Sequence, residues 1–171
     1  CGLDRLRPAD SLAAAMITTS AVPEIARENI IELILKLLSG QSDAVVVEGE
    51  SGAGKSTLLQ QFAKDPSRRC VGVFISAGSR WAYNAEQVAY DVTSQILALL
   101  GKPPLPEDFV HDETLYRRHL NELARRCRHA NEIVYFVVDG LDEIPESDSP
   151  ARQAIIDLLP FGSDPFRFVL S

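Results

Sequence analysis

Apolar positions along the chain switch repeatedly between a helical and a strand-like rhythm. Over residues 24–38, Ile30, Ile34, Leu37 and Leu38 recur at helical spacing, and Ile31 and Leu35 widen the stripe. Pro23 stands where that helix can begin. Residues 44–47 form a short apolar run that reads as a buried strand. The helical period returns over 56–64, with Leu58, Leu59 and Phe62 on one face. A second strand is predicted over 70–75, broken by Ala77, Gly78, Ser79 and Arg80. Residues 84–100 carry Ala85, Val88, Ala89, Val92, Ile96, Leu99 and Leu100 at helical spacing. Gly101 caps this helix, and Pro103, Pro104 and Pro106 forbid its continuation. Another helix is predicted over 112–130, on a stripe of Tyr116, Leu120, Leu123 and Cys127. Residues 133–138 are continuously apolar, as in a central parallel strand covered on both faces. A short helix over 151–159 and a last strand over 166–170 follow. Before residue 23 the pattern says little beyond a short helix at 11–16 and a loop at 18–20. The order β-α-β-α-α-β-α-β predicts an α/β domain with helices layered on a parallel sheet.

Composition narrows the picture. The 171 residues suit one domain over 23–171 behind a linker of 1–22, and 46% apolar content suits a packed core. No apolar run reaches the length of a membrane span. A net charge of −7 argues against broad binding to nucleic acid or anionic membranes. Arg117, Arg118, Arg125, Arg126 and Arg128 lie off the stripe of their helix and read as a solvated face rather than a phosphate-sensing one. Cys1, Cys70 and Cys127 show no disulfide or metal spacing, which points to the reducing cytoplasm. The chain begins at Cys1 without a signal-peptide pattern and reads as a piece of a longer protein.

One stretch carries explicit chemistry. Gly49, Glu50, Ser51, Gly52, Ala53, Gly54, Lys55, Ser56 and Thr57 satisfy the phosphate-loop pattern G-x-x-x-x-G-K-[ST] at every defined position. Glycines let the backbone turn tightly and bring its N–H groups to an anion. Lys55 offers a compact positive charge for the β- and γ-phosphates, and the Ser56 hydroxyl is a hard ligand for Mg²⁺. A strand before the loop and a helix after it place a helix N-terminus under the phosphates.

The run at 133–138 leads directly into Asp139, Gly140, Leu141, Asp142 and Glu143. An acidic residue at the carboxyl end of a central strand is where a nucleotide-bound Mg²⁺ needs its second protein anchor, and Asp139 fills that place. Asp142, with Glu143 in reserve, is a candidate to orient or deprotonate an attacking water. A solvated acidic turn or a helix-capping cluster is the alternative for this pair.

Here the sequence resembles a known family. Residues 137–143 are similar to the NACHT form of the Walker B motif: hydrophobics, then Asp, a small residue, a hydrophobic and two acids. NACHT modules belong to the STAND class of signal-transducing ATPases, which includes innate-immune receptors and antiphage sensors. Ala26, Arg27 and Glu28 resemble a Gly-Arg-Glu that lies near the nucleotide in relatives, with alanine in place of the glycine. Residues 166–171 resemble the sensor 1 strand. The resemblance implies a P-loop NTPase of the ASCE type, a three-layer α/β/α fold with strand order 1-4-3-2. It implies ATP/ADP and Mg²⁺ as ligands and a switch that oligomerises when activated, with effector and sensor domains elsewhere. The arginine that follows the sensor 1 strand in relatives lies beyond Ser171, so turnover by this chain alone is expected to be slow.

Three rival readings meet obstacles in the residues. A GTPase usually shows Asp-x-x-Gly, but Asp142 stands three places after Asp139, and no Asn-Lys-x-Asp is present. A small-molecule phosphotransferase needs an arginine-rich lid, which no segment supplies. A non-hydrolysing scaffold that merely holds nucleotide is the third: the intact Lys55, Ser56 and Asp139 speak against a decayed site, and single-turnover hydrolysis discriminates.

Overall fold

A computed structural model describes residues 27–40, 42–76, 83–106, 109–110 and 112–171. The expected helix at 11–16, the loop at 18–20, the start at Pro23 and the break at 77–80 lie outside these residues. In chain order the described elements are α1 (Glu28–Leu38), β1 (Ala44–Val46), α2 (Lys55–Lys64), β2 (Arg69–Phe74), α3 (Ala85–Leu99) and α4 (Glu113–Ala130), then β3 (Val134–Asp139), α5 (Ser149–Leu158) and β4 (Phe166–Leu170). Short 3₁₀ turns at Leu141–Glu143 and Glu146–Asp148 bridge β3 and α5.

The four strands form one parallel sheet in the order β1-β4-β3-β2. This is the predicted α/β architecture with the predicted strand order. Side chains alternate across the sheet, so each strand feeds two cores. Val137 and Val169 pack on one face with Ile34 and Leu38 of α1 and Leu58, Leu59 and Phe62 of α2. Phe136, Val138, Phe166 and Phe168 pack on the other with the apolar stripes of α3, α4 and α5. The stripe predicted for α4 is buried throughout, at Tyr116, Leu120, Leu123 and Cys127.

Two expectations need correction. The run at 44–47 is not a buried strand: Ala44 is exposed and Val46 is 59% exposed. Among the described residues β1 pairs with β4 alone, so it forms an edge. Val45 packs in the core beneath α1, whereas Ala44 and Val46 face the side whose helices cover the other strands. The stripe of α1 is also rotated. Its seam is Ile31, Ile34, Leu35 and Leu38, and Ile30 and Leu37 are exposed. The helix has more apolar residues than its seam has places, so counting them could not fix the buried side.

Strand β2 lies at the opposite edge, where it would present unpaired backbone groups. Gln95 of α3, only 1% exposed, satisfies those of Gly72. Its Oε1 accepts from the Gly72 N–H at 2.8 Å, and its Nε2 donates to the Gly72 carbonyl at 2.9 Å. Gly72 has no room for a side chain, because a Cβ there would press into the Phe74 ring. Helix α3 is capped by Asn84, whose side chain accepts from Glu86 and Gln87, and α4 by Asp112, which accepts from Thr114 and Leu115.

The arginines of α4 bind locally. Arg117 pairs with Glu113, Arg126 pairs with Glu122 and donates to the Leu100 carbonyl, and Arg128 donates to the Asp164 carbonyl. Arg118 and Arg125 are exposed. This is the solvated face that the sequence predicts. Cys70 and Cys127 are buried free thiols, and burial pushes the Cys70 pKa up to about 12. Among the described residues, no helix is long and apolar enough to cross a membrane.

Two predictions follow from this packing. Gln95→Leu strands the N–H and carbonyl of Gly72 without partners and should cost about 2–4 kcal/mol, read as a lower denaturant midpoint in urea unfolding. His119 of α4 is buried, its Nδ1 lies 3.2 Å from Lys102 Nζ, and Glu122 binds the same ammonium. Burial, then Lys102 and Arg118, hold the His119 pKa below 6.5, against the weaker pull of Glu122. Its depressed pKa means that the unfolded chain takes up the proton first. Stability should therefore fall as pH drops from about 6.5, and His119→Gln should flatten that fall in urea titrations at pH 7.5 and 5.5.

Candidate functional site

The site is assembled where the strands end. Pairing continues past the strands themselves: Val47 N donates to the Leu170 carbonyl at 2.7 Å and Ser171 N to the Val138 carbonyl at 3.0 Å. Ile75 N donates to the Asp139 carbonyl at 2.9 Å. These bonds set the phosphate loop, Ser171, Asp139 and Ile75 in a row along the carboxyl edge.

The loop after β1 turns on Gly52 (φ 79°) and Gly54 (φ 81°), both in the left-handed region that disfavours side chains. Gly54 is the N-cap of α2, and no side chain caps that helix. The first N–H groups of a helix have no intrahelical acceptor, so this end presents free donors and a positive dipole. Lys55 begins the helix and folds back over the loop. Its Nζ donates to the carbonyls of Gly49 at 2.8 Å and Glu50 at 3.1 Å. The result is a cradle of backbone donors around an ammonium, the chemistry that suits a phosphate. Residues 49–53 and Ser56 are exposed, Gly54, Lys55 and Thr57 partly so.

Asp139 ends β3 and is 6% exposed. Strand alternation puts it on the face shared by Tyr135 and Val137, the face that α2 covers. Ser56 lies in the first turn of α2, the helix that covers that face. Among the described residues, no three His, Cys, Asp or Glu side chains gather into a preformed metal site. One hydroxyl and one carboxylate fit Mg²⁺, which keeps most of its shell as water and phosphate oxygen.

Gly140 (φ 83°) turns the chain out of β3, and a Cβ there would collide with the Ile75 carbonyl. Only glycine fits both conditions. The next turn carries Asp142 and Glu143, both exposed, with Glu143 N bonded to the Gly140 carbonyl at 3.0 Å. The structure thus brings the loop and Asp139 to one edge and sets Asp142 and Glu143 just beyond Asp139.

Two residues gain weight from the fold. Ser171 Oγ donates to Asp139 Oδ1, one step past the registered pair Val138–Leu170. Nothing in the sequence marked Ser171 by itself; only the register of β4 identifies it. Arg27 precedes α1, and its guanidinium lies against Gly54, where it occupies the space a Cβ would need. It also borders a cleft of ≈ 500 Å³ that runs between α1 and the end of α2.

Residues 25–169 match the AAA ATPase domain family. The chain belongs to this family. Its parallel sheet, ordered β1-β4-β3-β2, is the P-loop NTPase arrangement, so this is a P-loop ATPase domain. No curated protein matches the chain.

Proposed function

We propose that residues 23–171 form the ATP-binding and hydrolysing switch module of a STAND-class, NACHT-type signalling ATPase. The observation that carries the ATP site is the uncapped start of α2, with Lys55 folded over the Gly49–Gly54 turn. Asp139 lies on the same side at a strand end of the same edge.

In this reading the backbone donors of residues 49–57 and the Lys55 ammonium bind the phosphates. Ser56 and Asp139 hold Mg²⁺, which when bound neutralises charge on the β- and γ-phosphates. Ser171 orients the Asp139 carboxylate by donating to it. Asp142, with Glu143 in reserve, positions water for attack on the γ-phosphate.

The NACHT assignment draws support from two features. The stretch 139–143 folds as a strand end, a left-handed glycine and a single turn bearing two exposed acids. Arg27 lies beside the phosphate loop, where the resemblance sets the arginine of Gly-Arg-Glu. The module would hold ADP at rest, exchange it for ATP on a trigger, and oligomerise to fire an effector domain elsewhere in the protein.

Calorimetric titration tests the binding site. Lys55→Ala should weaken Mg–ATP binding by at least about tenfold with the unfolding midpoint unchanged; parental affinity would sink the phosphate-loop assignment. ATP should bind more tightly than GTP. Asp139→Asn should lose Mg²⁺ dependence while retaining affinity for metal-free ATP. Asp142→Asn should slow single-turnover hydrolysis without changing ATP affinity, and a parental rate would move the water-positioning role to Glu143.

A further inference from the structure

At the carboxyl edge of the sheet the register sets four residues in one row. Val46 pairs with Leu170 and Leu170 with Val138, so one step further Val47, Ser171 and Asp139 come side by side. Phe74 pairs with Asp139 on the other flank. Val47 and Phe74 pack in the core beneath α1 and α2, and strand alternation puts Ser171 and Asp139 on that same face. Asp139 therefore has two neighbours in its row, an aromatic ring that offers no donor and a hydroxyl that does. Ser171 Oγ donates to Asp139 Oδ1. A carboxylate can accept about four hydrogen bonds. This one is 6% exposed, and among the described residues its side chain accepts only the bond on Oδ1. A nearly buried charge with one oxygen unmet is a place for a cation.

We infer that Ser171 sets the metal preference of the site: by occupying Oδ1 it leaves Asp139 a single oxygen to offer, which favours Mg²⁺ over Ca²⁺. The inference rests on the ATPase reading above and deepens it. Mg²⁺ demands a near-ideal octahedron and takes about one or two protein carboxylates, with water and phosphate oxygen filling the rest of its shell. A one-point contact suits it. Ca²⁺ gathers about six to eight oxygens and readily takes both oxygens of one carboxylate. With Oδ1 engaged, that two-point grip is closed to it. Ser171 acts through Asp139, so it is a positioning residue for the metal rather than a ligand.

The test is calorimetric titration of ATP with Mg²⁺, with Ca²⁺ and with a chelator. It compares the parent chain, Ser171→Ala, Ser171→Thr and Asp139→Asn, with unfolding midpoints recorded alongside. The parent should prefer Mg–ATP. Ser171→Ala should shift the ratio of Mg–ATP to Ca–ATP affinity toward Ca²⁺ by about tenfold, with metal-free ATP affinity and unfolding midpoint near parental. Ser171→Thr, which keeps the hydroxyl on a side chain suited to a strand, should keep the parental ratio. Asp139→Asn should erase the preference, and adding Ser171→Ala to it should change nothing more. An unchanged ratio in Ser171→Ala overturns the inference, and so does an equal shift in Ser171→Thr. A parallel loss of affinity for both metals, which a merely structural role would give, overturns it as well. If Ser171→Ala does not fold, Ser171→Val is read against its isostere Ser171→Thr by the same criteria. Failure of the parent chain to bind ATP with either metal would instead overturn the ATPase reading, a result seen before any variant is compared.

Discussion

The placement of β4 between β1 and β3 is the constraint on which the site depends. The loop follows β1 and the buried acid ends β3, so without β4 these strands would not be held at a fixed separation. Neighbouring strands lie about 4.8 Å apart, so two spacings set the loop strand and the acid strand roughly 10 Å apart. That gap suits a phosphate on one side and a metal anchor on the other. The backbone bonds at Val47 and Ser171 carry the pairing to the very end of the sheet. Any slip of β4 by one residue would turn Phe168 out of one core and Val169 out of the other. The apolar packing of the interior thereby fixes the geometry of a polar edge.

Much of this was legible from the residues, for reasons that differ by element. The strand β3 and the stripe of α4 follow from simple periodicity, because each is buried on the sides its pattern names. The phosphate loop was legible because its glycines and lysine are required by backbone geometry rather than by packing. Two failures share one cause. Val46 and the rotated seam of α1 depend on what covers an edge, and hydropathy records only that a side chain is apolar. Gln95 and Ser171 were invisible for another reason. Each acts by one hydrogen bond, or a pair of them, to a backbone or side chain far away in sequence. A lone polar residue carries no periodic signal; only the register and the helix packing reveal its partner.

The two edges of the sheet are managed differently. At β2, an amide side chain imitates a neighbouring strand at Gly72, so the middle of that edge is met chemically. At β1, among the described residues, the far side of the strand carries no such substitute, and Ala44 and Val46 remain exposed. The difference matters for the site because β1 leads into the phosphate loop. Its position is fixed from one side, by β4, and from one face, by α1. Movement transmitted through α1 or β4 would therefore reach the loop more readily than movement from α3, α4 or α5.

The resting bonds of Lys55 explain how so acidic a chain can hold an anion site ready. Glu48, Glu50, Asp139, Asp142 and Glu143 surround the loop in sequence or along the edge, and the net charge is −7. Against that field stand Lys55, the free N–H groups of α2 and Arg27 beside Gly54. Lys55 does not pair with any of those carboxylates; it binds two neutral carbonyls of its own loop. A carboxylate partner would add a full opposite charge that an incoming phosphate must displace, whereas the two carbonyls offer only dipoles to the ammonium. Exchanging carbonyl for phosphate oxygen thus gains energy while the ammonium moves little. The same short-range bonds draw the loop around its lysine and hold its shape before any ligand arrives, so that less ordering remains to be done on binding.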